Sequence, residues 1–225
     1  MRHLFYLFFL LLMACQQNPP VKEDLVLDSP KLKAMLSDMA RTDKLYRLRA
    51  STLRAQNNGI RTKEEADLWA KQKLVDSINM DQLELIFNKV GYPGKSLVGD
   101  TLQGIAAMIV MHNPKRQSEY VDLMWQAAKN GDIKLMEAAM LEDRVKMFSG
   151  IAQKYGTQMK YDTIAINSKT KVATTELHIW PIAEIKKVDS LRRAIGLYPL
   201  SQQCQMMGVD CDKVKGYRYL KQKIK

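Results

Sequence analysis

The chain has 225 residues, 46% of them apolar and 26% charged, with 35 Lys and Arg against 24 Asp and Glu for a net charge of +11. That length and balance suit one domain with a real core, or a domain plus an appendage. No repeat or low-complexity tract interrupts it.

The first feature in chain order is the apolar run Leu4 to Met13. Ten residues make a helix of about 15 Å against roughly 30 Å of bilayer hydrocarbon, so the run is too short for an ordinary span. Arg2 and the amino terminus precede it and a small residue follows, the order of a secretory signal. Leu12, Met13, Ala14 and Cys15 resemble the lipobox of bacterial lipoproteins, in which the thiol is acylated and the chain is cut just before it. The resemblance implies removal of residues 1–14, a palmitate-type lipid on Cys15 and a bilayer as the first partner. Residues 15–29, polar and carrying Pro19 and Pro20, read as a tether. Gln16 after the lipidated cysteine is compatible with outer-membrane sorting, and the side of the membrane faced stays open.

Ser29 and Pro30 then open a helix as cap and first-turn proline, with Leu32, Met35, Leu36, Met39, Tyr46 and Leu53 at helical spacing up to Asn57. Thr62 with Glu65 predicts a second helix through Leu68, Trp69 and Leu74. Asn79 with Gln82 predicts a third through Leu83, Ile86 and Phe87. "GYPGKS" from Gly91 is a turn by composition. The segment "LQGIAAMIVMH" is apolar all round and belongs at the centre of the domain. Pro114 begins a helix that Gly131 ends, and Asp132 opens another to about Ser149. "YGTQMKYD" and "KVATTELHIW" alternate as two strands around a turn near Asn167 and Ser168. A last helix covers about Glu184 to Ile195. The expected fold is mainly α (α+β), a multi-helix orthogonal bundle over 30–200 with a small antiparallel β-hairpin near 155–180 before the last helix, then a basic tail over 201–225.

Charge is uneven: residues 31–73 carry +6 and 151–225 carry +8, while 74–150 carry −2. An exported basic surface suits an anionic envelope polymer or an envelope protein, and nucleic acid is not expected there. The bland alternative is a solvated lysine-rich surface. Cys204 and Cys211, in an exported chain, are expected to pair; closing that loop stabilises by about 2.5 kcal/mol in the chain-entropy picture. Two free thiols are the alternative.

Few residues suggest chemistry. His112 shares a helix face with Ile105, Met108 and Ile109, so it reads either as a base with a displaced pKa or as a satisfied core histidine at a helix C-terminus. Asp143 and Arg144 flank a stripe of Ile133, Met136, Met140 and Met147, about 100° apart and poorly placed to satisfy each other. Arg144 could clamp a carboxylate or phosphate. The competing reading is a docking network with Tyr155, Gly156 and Gln158 of the "YGTQ" turn. His178 lies on one strand face with Trp180. No HExxH, CxxC, GxSxG or phosphate-loop pattern occurs, so neither a metal nor another cofactor is expected.

The order "GYPGKSLVG", His112, "LEDR", "YGTQ", Pro181 with Ile182, and "VDSLRRAIGLYPL" resembles a family of uncharacterised bacterial proteins over about residues 72–200. That family often has glutamine where this chain has Met111, and a longer loop before the "PI" pair. It implies an exported or lipid-anchored chain and supplies no activity. Two readings stand: a binding domain for an anionic envelope component or protein partner, or a hydrolase or transferase with His112, Asp143, Arg144, Tyr155 and Gln158 around one cleft.

Overall fold

A computed structural model describes residues 28–57, 60–166 and 173–211. Nine α-helices occur among the described residues: α1 Ser29–Asp43, α2 Arg47–Gln56, α3 Lys63–Val90, α4 Lys95–Val98, α5 Ile105–Met111, α6 Val121–Lys129, α7 Leu135–Phe148, α8 Val188–Ala194 and α9 Leu200–Met207. Two strands, β1 Met159–Ile166 and β2 Ala173–Ile179, stand between α7 and α8. The protein is mainly helical with one small antiparallel sheet.

The first expected helix is two. Asp28, not Ser29, caps α1 by accepting from Lys31 N, and the chain breaks at 44–46 before α2. Gln72 of α3 supplies the reason: its Oε1 accepts from Tyr46 N at 3.1 Å and Arg47 N at 3.0 Å, so a side chain remote in sequence caps the new helix. The second and third expected helices are instead one, the 28-residue α3. Thr62 caps it as expected, but Asn79 is an interior residue. Its amide faces α1, accepting from Thr42 Oγ1 and donating to Met39 O. Before α6 the chain forms a 3-10 turn, Gln117–Tyr120, rather than a helix from Pro114. Nor does Asp132 cap α7; it accepts from Ser96 N and Oγ, pinning α4. A side chain at Gly94 would stand 2.3 Å from Asp132 Cβ, so only glycine fits there.

Around α5, whose Ala106, Ala107, Ile109 and Val110 are buried, α1, α3, α6 and α7 contribute Leu36, Met39, Leu83, Ile86, Met124 and Leu141 to one core. A second, smaller cluster joins Ile179, Ile182, Val188, Leu200 and Cys204. Residues beyond 200 take part in this cluster: α9 packs into it, and Cys204 is disulfide-bonded to Cys211. The strand expected from Tyr155 begins only at Met159, because the 155–158 segment spends its N–H groups elsewhere. The turn near Asn167 and Ser168 lies outside the described residues, as do residues 1–27 and 212–225.

Candidate functional site

Asp143, fully buried on α7, is the hub of the loop 154–157. Its Oδ1 accepts from Lys154 N at 2.7 Å and Tyr155 N at 3.1 Å, and its Oδ2 from Thr157 N at 3.1 Å and Thr157 Oγ1 at 3.0 Å. Burial pushes its carboxyl up, opposed by those donors. On the far side of the same loop Arg192, 1% exposed, donates to Tyr155 O, Tyr198 O and Gln203 Oε1. Gln158 is tied into the same loop: its N donates to Gln153 Oε1, and its Nε2 donates to Met140 O and Thr157 Oγ1. Gly156, at φ +69°, passes close to Ile182 and Leu200, where a Cβ would stand 2.9 Å and 3.0 Å from their methyls. A cleft of about 340 Å³ lies beside this loop, lined by Met140, Met159, Leu197, Tyr198, Met206 and Met207, with Thr157 and Arg192 at its wall. Asp143, Tyr155 and Gln158 thus form a sealed docking network.

His112 belongs to a different set. At the C-terminus of α5 its Nδ1 lies 2.7 Å from Oδ1 of Asp43, the buried last residue of α1. Arg47 reaches the same Oδ1 at 3.3 Å and Asp76 at 2.7 Å, while Gln72 Nε2 donates to Asp76. Burial pushes the Asp43 carboxyl up, but the bonds and charges of His112 and Arg47 outweigh it and hold the group below its ordinary value. An ionised carboxylate only accepts, so Nδ1 carries a hydrogen, and in the neutral ring the lone pair is on Nε2. No described residue bonds Nε2, and the side chain is 27% exposed.

Arg144 is half-buried and takes part in neither set. Among the described residues its Nε is buried without a partner, no carboxylate or carbonyl accepts from its guanidinium, and its one neighbour of note is the Phe148 ring, 5.8 Å from Cζ. Burial pushes it down, although a guanidinium stays charged. Its level in the fold follows from three contacts. Trp125 Nε1 donates to Glu142 Oε2, which registers α6 against α7 and sets the 3-10 turn before α6 beside the C-terminal end of α7. Gln117 of that turn donates to Met111 O at the end of α5. At the other end, a Cβ on Gly104 would lie 3.0 Å from Glu137 Oε1. Helices α5 and α7 therefore run side by side in one direction, bringing His112 and Arg144 to the same end. Glu137 and Arg144, seven apart, share a face of α7. The three buried side-chain polar atoms left unpartnered among the described residues, Gln117 Oε1, Glu137 Oε2 and Arg144 Nε, all sit on α7 or the turn beside it.

The five residues expected around one cleft are thus divided three ways. His178, opposite Lys160 on the hairpin, stands 3.6 Å from Asp162. Sequence reasoning missed Asp43, Arg47 and Gln117. Asp43 and Arg47 are spaced i,i+4 across a helix break, a pattern that carries no signal until the break is known.

Residues 30–215 match a family of unknown function, DUF6624. The chain belongs to this family. The match takes in α1 and the cysteine pair, both outside the 72–200 span of the resemblance seen in the sequence. No curated protein and no solved structure matches the chain. Among the described residues, no cluster of three or more His, Cys, Asp or Glu is placed to hold a metal, and no helix is long and apolar enough to cross a membrane.

Proposed function

We propose that this DUF6624 protein is a lipid-anchored domain of the bacterial envelope that binds an anionic group, a carboxylate or phosphate of an envelope component, on Arg144. The observation that carries the reading is the unpartnered guanidinium. A buried N–H without an acceptor costs about 1–3 kcal/mol, and nothing in the fold is held together by leaving Arg144 unpaired. Five exposed cations have acids at hand, Arg41 with Asp38, Arg49 with Glu64, Lys63 with Asp67, Lys95 with Asp100 and Lys187 with Glu184, whereas Arg144 combines partial burial with an unpartnered Nε. A planar fork with one shielded and two outward nitrogens matches a carboxylate or phosphate face to face.

The disulfide between Cys204 and Cys211 supports an oxidising compartment, and the lipobox-like residues ending at Cys15 support the anchor. The test is a titration of the mature, unacylated protein with inorganic phosphate and with acetate, following the Arg144 Nε–H resonance. A saturable shift is expected in the unmutated protein, together with saturable binding by calorimetry that is lost in Arg144→Gln and weakened in Arg144→Lys. A resonance that does not move with either anion contradicts the proposal.

A further inference from the structure

We propose that Asp43, His112 and Arg144 form a hydrolytic site for a carboxylic ester that carries an anionic group. His112 Nε2 is the base, Asp43 a positioning residue, and Arg144 the seat of the anionic group. The substrate's charge rests on the anion-binding reading above; the base does not. Three observations meet here. The Asp43 bond to Nδ1 fixes the tautomer that leaves Nε2 free as an acceptor, the arrangement a general base needs. The His112 side chain is 27% exposed while Asp43 is 2% exposed, so the ring reaches solvent and its support is buried. Arg47, bound to Asp43, Asp76 and the ring of Trp69, locks the carboxylate in turn.

The parallel course of α5 and α7 puts a free cation at the same end as the free imidazole. In the step, a water gives a proton to Nε2 as its oxygen attacks the ester carbonyl carbon. The tetrahedral intermediate then expels the alkoxide, which takes that proton back from the imidazolium. The C–O bond to the alcohol breaks, a carboxylic acid and an alcohol leave, and nothing is oxidised or reduced.

The experiment uses the mature chain and two chromogenic probes, 4-nitrophenyl acetate and the mono-4-nitrophenyl ester of glutaric acid, which ends in a free carboxylate. Both are hydrolysed above the rate of heat-denatured protein, the glutarate ester with the lower KM. His112→Gln lowers kcat at least about 100-fold on both, the usual scale of a general base. Asp43→Asn lowers kcat with KM little changed, which a merely loosened fold would not do. Arg144→Gln raises KM for the glutarate ester. Diethyl pyrocarbonate, which acylates a free imidazole nitrogen, modifies His112 of the unmutated protein faster than His178 and gives a reading that needs no variant. Failure of both probes to turn over, or a His112 that resists the reagent in the folded protein, overturns the site even if phosphate still shifts Arg144. Turnover with no preference for the anionic ester leaves the base standing and overturns the role of Arg144.

Discussion

Asp43 shows how much a single carboxylate can be asked to do. It ends α1, receives the ring of His112 from α5 and the guanidinium of Arg47 from α2, and is buried while doing so. Because its folded pKa lies below the unfolded one, its contribution to stability is complete above the ordinary carboxylate value of about 3.9. That contribution is lost as pH falls toward the lowered value. Thermal midpoints measured from pH 6 down to pH 2 should therefore fall more steeply for the unmutated protein than for Asp43→Asn, which has no such proton to take up. Parallel curves would show that the pair contributes nothing to folding. At this scale the sequence was half legible. His112 stood out because a polar ring shares a face with Ile105, Met108 and Ile109. Its partner, 69 residues away, is a tertiary fact that no local pattern encodes. Asp143 was expected to dock on the "YGTQ" turn; that three of the donors would be backbone N–H groups, and that Arg144 would take no part, was not readable.

Among the elements, the α1–α2 break is the most instructive. Helical spacing runs through 44–46 without a glycine or proline, and the chain breaks there because Gln72 offers its carbonyl oxygen to two backbone donors. Removing that oxygen by Gln72→Ala should cost about 1–3 kcal/mol in chemical denaturation, the penalty for stranding buried donors. A change under about 0.5 kcal/mol, the level of a neutral surface substitution, would mean the break has another cause. Where packing and periodicity agree, as in α5 with its buried Ala106, Ile109 and Val110, the element was plain from the sequence. Where a polar side chain from a distant helix intervenes, as with Asn79 inside α3, the same residue types that signal a cap became interior docking groups instead.

At the scale of the molecule, two clusters of unequal size meet across the Asp143 loop, with β1 and β2 and the disulfide-bonded α9 on the smaller side. The mainly helical class with one hairpin followed directly from the spacing of apolar residues. The extension past 200 did not, since α9 is short and its helical register covers only Leu200 and Cys204 as buried positions. The proposed role depends on where this body is held, because a tether at the membrane would keep the domain beside an anionic envelope component. The direct measurement is expression of the full chain and of Cys15→Ser in a bacterium fed radiolabelled palmitate, followed by fractionation. The account predicts label and sedimentation with envelopes for the unmutated chain, and neither for the variant. Equal labelling and equal sedimentation of the two would contradict it.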